Sequence, residues 1–460
     1  MAGLIALYRH GETLKKSQEQ GTIVYLIRAM RLLQHRGKAY WKLIFDQSSI
    51  DGTGSLPNDK RIVDIIKKRG ISGKLGLGYL SKRPPIYNCM NHIDIIFDGF
   101  LVDTEKLYLH PSIGSSKNYD HLYQIYYIFV NFMIKNKNPE YAAEFLDRHL
   151  RGNIIMKFGD EIYSYRNSSG FKPLVFASND EISILSSENL LKTYFPKLNF
   201  YDVDMGNLLK ISDKNKIEVI AKVEKNPMMM DPFEFIREYH VTSEFNGKSI
   251  YSIRRNIGKI QADFLSANVD LDSAYAEPDY TRPMALGFGI QYKKFNPNFE
   301  MIEGIIKDRY DDADHMIDFS EQESKNKLLS TGKSLKFVVP KIDTIQNIAS
   351  IQGTIQTGST IRETIYYMNN SGISNIDVIV NYVPTIDGRQ VGLYTHNREF
   401  IASKYVGKVS NLNDLNYNIS RELHCNNIYY NSPSMLAKGI GISEKNLWFP
   451  EWIRFLDYKK

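Results

Sequence analysis

At 460 residues, with 43% hydrophobic and 24% charged side chains, the chain has an ordinary globular composition and exceeds what one hydrophobic core fills, so two domains are expected. Its 58 basic and 52 acidic residues leave a net charge of +6, too slight an excess to imply a nucleic-acid partner. Two cysteines far apart, Cys89 and Cys425, give neither a disulfide framework nor an iron–sulfur or thiolate metal site, and no stretch approaches the ~18 apolar residues of a membrane span, so a cytoplasmic address is expected.

Residues 4–8 form a short apolar run and read as a strand. Residues 23–35 repeat apolar positions at three and four, which predicts a helix, and residues 123–135 do the same. Turn-bounded apolar runs at 93–97, 154–158, 174–177 and 182–186 predict a sheet-rich first half. Residues 222–231, with Pro227 and three successive methionines, read as the crossover between domains. Beyond them, residues 249–264 are periodic enough for a helix, and residues 335–383 read as strand, loop, helix and strand. Ile361, Ile365 and Met368 share one helix face, Asn370-Ser371-Gly372 ends that helix, and residues 376–380 are a buried-strand run. In such a βαβ unit the loop before the helix is where anions bind.

Several blocks, in order, resemble the glutamine PRPP amidotransferases, the amidophosphoribosyltransferases of purine synthesis. They include Met1-Ala2-Gly3-Leu4, Leu32-Leu33-Gln34-His35-Arg36-Gly37 and Arg166-Asn167-Ser168-Ser169-Gly170-Phe171-Lys172-Pro173-Leu174, the last similar to R-D-P-x-G-x-R-P-L. Asp202-Val203-Asp204-Met205-Gly206, Asp231-Pro232-Phe233-Glu234-Phe235-Ile236 and Glu303-Gly304-Ile305-Ile306-Lys307-Asp308-Arg309-Tyr310 continue the series. The resemblance implies α+β followed by α/β. An N-terminal-nucleophile (Ntn) αββα glutaminase-like sandwich would span 1–225, and a type I phosphoribosyltransferase α/β domain with a C-terminal extension would span 226–460.

The resemblance also implies where chemistry should sit, and at those positions the residues depart from the pattern. The family exposes a cysteine as an N-terminal nucleophile; here the second residue is Ala2, which has no thiol to form a covalent glutamyl intermediate. Aligning Gly76-Leu77-Gly78-Tyr79-Leu80-Ser81 with G-x-G-H-x-R puts Ser81 in the carboxylate-clamp position, with Lys82 one residue late. Aligning Phe97-Asp98-Gly99-Phe100-Leu101 with H-N-G-x-L puts Asp98 where a neutral oxyanion donor belongs. Losing one such donor alone typically costs ~10²–10³ in rate. Gly99 is retained, although a glycine after Asp98 reads equally as a β-turn.

In the second half, Gln352 and Gly353 replace two adjacent acids that the family uses for the PRPP ribose and Mg²⁺. An amide and a glycine are poor ligands for a hard cation, so Mg²⁺ is not expected as a cofactor. Arg309-Tyr310-Asp311-Asp312-Ala313-Asp314 carries acids where the family has a basic residue, and Tyr280 in Glu277-Pro278-Asp279-Tyr280-Thr281 replaces a small one. Thr357, Gly358, Ser359 and Thr360 remain, a glycine and hydroxyls ahead of a helix that suit a phosphate monoester without acid or metal. The alternative is that Ser359 or Thr360 caps the helix, with Glu363 completing a capping box.

The expected protein is therefore an amidophosphoribosyltransferase homologue, inactive as glutaminase and as transferase, serving as a regulatory or structural subunit. Its expected partners are a purine nucleoside monophosphate and an oligomer, either of itself or with an active paralogue. A residual transferase using free ammonia or another donor is the alternative. Arg9-His10-Gly11-Glu12 also matches the histidine-phosphatase motif, which would require a second His and Arg beside His10.

Overall fold

The computed structural model describes residues 2–11, 16–45, 48–82, 95–105, 121–214, 216–267, 269–307, 335–337, 347–370, 372–392 and 399–458. Two compact units divide the chain: Met1–Asp231 with Glu238–Glu244, and Pro232–Arg237 with Phe245–Lys460.

The first unit contains β1 (Ala2–Arg9), β2 (Tyr40–Phe45), β3 (Ser49–Thr53), β4 (Leu75–Ser81), β5 (Ile95–Leu101), β6 (Leu150–Phe158), β7 (Glu161–Arg166), β8 (Val175–Ser178), β9 (Ile182–Ser186), β10 (Tyr201–Asp202), β11 (Asn207–Ser212) and β12 (Lys216–Lys222). Its helices include α1 (Lys16–Leu32), α2 (Asp59–Lys68), α3 (His121–Asn131) and α4 (Pro139–His149). One sheet has the order β10-β8-β9-β1-β4-β2-β3 and the other β12-β11-β7-β6-β5.

Side chains along a strand alternate between faces, and both faces of β1 are covered. Ala2, Leu4, Ala6 and Tyr8 pack between the sheets with Leu77, Ile155 and Leu209. Ile5 and Leu7 face Leu26, Ile27 and Met30 of α1. In the other sheet Ile154, Met156 and Tyr163 pack against Ile125, Phe129, Phe145 and Leu146 of α3 and α4. Double coverage explains why residues 4–8 are an unbroken apolar run rather than an alternating one, and the four layers are the expected αββα sandwich.

Gly99, readable from sequence as part of a turn, lies in mid-strand. Asp98 is opposite Asn153 and Gly99 opposite Gly152 in the β5–β6 pair. The two glycines have φ of 140° and 145°, and a Cβ on either would fall 2.1 Å from a carbonyl oxygen of the opposite strand.

A short hairpin, β13 (Glu244–Phe245) and β14 (Lys248–Ser249), begins at the last residue of the first unit and leads into α5 (Ile250–Leu265) of the second, where Ser249 Oγ accepts the Ser252 N–H. The remaining elements are β15 (Ser273–Ala276), α6 (Arg282–Tyr292), β16 (Glu300–Met301), β17 (Ile305–Lys307), β18 (Leu335–Phe337), β19 (Asn347–Gln352), α7 (Ser359–Asn370), β20 (Asn375–Val380), α8 (Leu412–Leu423), β21 (Asn427–Tyr430) and α9 (Pro433–Ile440). The main sheet is parallel, in the order β16-β15-β19-β20-β21. Residues 335–337, expected to open the strand–loop–helix–strand unit, instead pair antiparallel with β17, and the strand of that unit is β19.

From β15 the chain crosses to β16 on one side, whereas from β19 it crosses through α7 to β20 on the other. The carboxyl ends of β15 and β19 are therefore a topological switch point, where open α/β sheets bind ligands. Among the described residues no helix is long and apolar enough to cross a membrane.

Glycines set how closely α5 and α6 cross. A Cβ on Gly258 would lie 1.9 Å from the Met284 carbonyl oxygen, and one on Gly287 1.9 Å from that of Arg255. Backbone cannot yield as a side chain can, so Gly287→Ala should destabilise the protein by about 1–3 kcal/mol. A drop in the urea midpoint with an unchanged m-value is the expected reading, and an unchanged midpoint would contradict it.

Candidate functional site

In the first unit β1 starts directly opposite the end of β4, with Ala2 paired to Ser81. The Ala2 N–H donates to Asp98 Oδ1 at 2.8 Å, and Gly99 follows on the same strand. The structure thus brings Ala2, Ser81, Asp98 and Gly99 together. The hub that connects them is Arg36, on a turn after α1 whose next residue, Gly37, is seated so closely on Ser81 that a Cβ would lie 2.4 Å from its backbone.

The Arg36 guanidinium is fully buried. Its Nε donates to Ala2 O at 2.9 Å, its Nη2 to Asp98 Oδ2 at 3.0 Å and its Nη1 to Glu188 Oε1 at 2.8 Å. Glu188 also meets His35 Nε2 at 2.8 Å and accepts the His240 N–H at 2.8 Å and the Ser243 hydroxyl at 2.6 Å. Burial alone would raise the Glu188 carboxyl, but the charges and hydrogen bonds of His35, Arg36 and Ser243 outweigh it and hold it well below the usual range. Such a set suits a planar guanidinium fork between two carboxylates. Asp98, held by Arg36 and by the Ala2 N–H, presents only acceptor oxygens. Lys82, the cation one residue past the clamp position, is ion-paired with buried Glu238.

The second site lies at the switch point. Gln352 turns its amide back along its own strand to donate to Ser350 Oγ at 2.7 Å, and Gly353 offers no side chain. These residues do not fit a divalent cation that prefers carboxylate oxygen. The Tyr280 ring lies over Gly353, where a Cβ would come within 2.1 Å of it, and the Arg237 guanidinium lies 4.9 Å from the ring centre. Glu277, just past β15, accepts the Gly353 N–H. Desolvation outweighs that bond and the nearby Arg237 charge, and its carboxyl is pushed up to about 7.

Helix α7 begins at Ser359, so neither Ser359 nor Thr360 stands outside it as a cap. Gly358, with φ of 81°, precedes it, and the hydroxyls of Thr357 and Ser359 are 3.1 Å apart. Arg362, one turn in, donates to Thr357 O at 3.3 Å and pairs with Glu422 at 2.8 Å, which also takes Lys404 at 2.6 Å. Helix-terminal N–H groups flanked by Arg362 and Lys404 are an arrangement that accepts anions. Sequence reasoning did not single out Arg36, Glu188, Glu277 or Arg362 as site residues. For Arg36 the available signal was its place in Gln34-His35-Arg36-Gly37, for Glu277 its place in Glu277-Pro278-Asp279-Tyr280-Thr281 and for Glu188 its place at the end of the segment 177–188; for Arg362 there was none beyond position. Asp311, Asp312, Ala313 and Asp314 lie outside the described residues.

His10 meets Ser183 Oγ at 2.7 Å and lies beside the Tyr8 ring, with the charges of Asp213, Lys216 and Asp180 around it. A second His and Arg are not among these partners. Burial pushes the Cys425 thiol up to about 12, so it is not a nucleophile at neutral pH.

No family model matches the chain. The amidophosphoribosyltransferase of Methanocaldococcus jannaschii is 23% identical over 461 residues, covering 89% of each chain. Among solved structures, the glutamine PRPP amidotransferase from B. subtilis complexed with ADP and GMP superposes with a TM-score of 0.69 at 18% identity, over 95% of this chain and 92% of that one. A structure described as the allosteric regulatory enzyme of purine biosynthesis gives 0.72 at 17%, over 97% and 94%. The chain is a distant homologue of the amidophosphoribosyltransferases and shares their two-domain fold.

Two expectations follow from this geometry. Arg36→Met removes the buried cation shared by two carboxylates and should cost about 3–5 kcal/mol, read as a lower urea midpoint; a neutral effect would mean the pairing is dispensable. Glu277 binds its proton more tightly folded than unfolded. Its contribution is therefore fully present below its ordinary value of 4.5 and is lost as pH rises through about 7. Glu277→Gln should flatten the fall in melting temperature over that interval, and an identical pH profile for both proteins would refute the assignment.

Proposed function

We propose that this protein is a non-hydrolysing relative of the amidophosphoribosyltransferases that serves as a regulatory or structural subunit and binds a purine nucleoside monophosphate at Thr357–Thr360. The observation that carries the reading is the Asp98–Arg36–Glu188 set around Ala2. Acyl transfer from glutamine needs a nucleophile, a clamp for the substrate carboxylate and donors for the oxyanion. Ala2 supplies no nucleophile, Ser81 no charge, and Asp98 an acceptor in place of a donor.

In the second unit the groups that would hold a diphosphate and its metal are replaced, whereas the loop that holds a phosphate keeps its glycine and hydroxyls and gains Arg362 and Lys404 beside it. That asymmetry favours ligand binding over group transfer. The B. subtilis relative was solved with ADP and GMP, which supports testing purine nucleotides first. Transfer with free ammonia has weaker support, because Gln352 is turned away and Tyr280 covers Gly353. A subunit role further requires an oligomer, of this chain alone or with an active paralogue.

Purified protein should release no glutamate from glutamine, and Ala2→Cys alone should not change that, since the pocket still lacks clamp and donor. AMP or GMP should raise the melting temperature, a ligand at about a hundred times its dissociation constant adding ~2.7 kcal/mol. Ser359→Glu, which opposes the phosphate charge on an exposed position, should abolish the shift; Gly358 is unsuitable because its left-handed backbone disfavours any side chain. Glutamine turnover by the wild type would refute the first half of the proposal, and no shift with either nucleotide the second.

A further inference from the structure

The end of the first-unit sandwich away from Ala2 holds a cavity of about 410 Å³, where β1 finishes and β4 and β7 begin. Tyr8 lines it, and Tyr8 and Ala2 stand near opposite ends of one strand, ~20 Å apart at the usual rise per residue. The cavity is therefore separate from the Ala2 cluster.

Its deep side is held by bonded groups. The Lys74 ammonium donates to the hydroxyl of Tyr8, which is buried, and to Asp213 Oδ2 at 2.8 Å, while Asp213 Oδ1 accepts the Gly11 N–H at 3.0 Å. Burial opposes the Lys74 charge, but its bonds to Asp213 and Tyr8 outweigh that effect and keep the ammonium well above its usual range. On the wall Lys210 meets Glu161 at 2.6 Å.

Two ion pairs are thus closed, and one lining charge of each sign is left over. Lys214, exposed on the β11–β12 turn, makes no ion pair among the described residues. Asp160, on the β6–β7 turn with its side chain 76% exposed, comes no nearer to Lys74 than 3.8 Å, and that cation is already taken by Asp213. Strands β7 and β11 are neighbours, with Ile162 opposite Ile211, so the two turns stand side by side at the rim.

An anion in this cavity would meet Asp160 and Glu161, and a cation would meet three lysines. A molecule with one charge of each sign complements both groups that remain. The lining has no aliphatic side chain among the described residues, which favours a polar ligand over an apolar one.

We propose that this cavity binds a small zwitterion of the free amino-acid class, its carboxylate on Lys214 and its ammonium on Asp160. The site lies within the first unit and is independent of the reading given above for Thr357–Thr360. Both contacts are open to solvent, so binding is weak and falls as salt rises.

Ligand-observed NMR titration of the full chain at low salt and pH 6 tests this with L-serine, N-acetyl-L-serine, which lacks the ammonium, and L-serinamide, which lacks the carboxylate. Wild type should bind L-serine about fivefold more tightly than either, the worth of one screened ion pair. Lys214→Glu should turn the preference towards L-serinamide, and Asp160→Lys towards N-acetyl-L-serine. Both positions are exposed, so the melting temperature should not change, which separates lost binding from lost folding. Equal binding of L-serine and N-acetyl-L-serine by wild type would make this a simple anion site. Preferences unaltered in both variants would put the amino acid elsewhere on the protein, and no binding of any of the three would leave a solvated ion-pair network; each of these results overturns the proposal.

Discussion

One buried guanidinium organises the first unit. Arg36 bonds the carbonyl of Ala2 and two carboxylates on different elements, Asp98 from β5 and Glu188 from beyond β9. Removing an arginine and two acids from water costs several kcal/mol per ion, and the cost is offset only when nearly every donor and lone pair finds a partner. Here the partners include backbone groups at Ala2, His240 and the hydroxyl of Ser243. The start of β1, the turn after α1 and the edge of β5 are therefore fixed to one another by a set that tolerates little displacement.

That constraint bears directly on chemistry. A carboxylate at position 98 is compatible with burial because Arg36 and the Ala2 N–H both donate to it. The same bonds prevent it from stabilising a developing negative charge. Asp98 thus ties β5 to the start of the first strand through Ala2 and to the turn after α1 through Arg36. The transferase-like unit follows a parallel course. Gly353 leaves room for the Tyr280 ring, and Glu277 takes the backbone donor that the glycine exposes. In both units the protein's own groups fill hydrogen-bonding positions at the strand ends.

The connection before α7 is different in kind. Its shape rests on backbone geometry, a left-handed Gly358 and the first turn of α7, rather than on any one side chain. Arg362 and Lys404 share Glu422, which holds two cations beside the loop. Electrostatic attraction at a helix terminus is forgiving of position, whereas group transfer demands placement within fractions of an ångström.

The sequence by itself determined the layers. The apolar runs at 4–8 and, interrupted only by Lys157, at 154–158 belong to strands covered on both faces, and the periodicity of 249–264 and 361–369 belongs to the amphipathic helices α5 and α7, because burial patterns are local and repeat along the chain. It also determined which side chains stand at Ala2, Ser81, Asp98 and Gly353, since their chemistry is legible from identity alone. Only the tertiary structure decided what those residues do with one another. Asp98 finds Arg36 across 62 positions and Arg36 finds Glu188 across 152; Gly99 belongs to a strand because Gly152 faces it; residues 335–337 leave the parallel sheet to pair with β17. Periodicity reports how a segment meets the core, but hydrogen-bond partners are chosen by distance in space, and no local pattern carries that information.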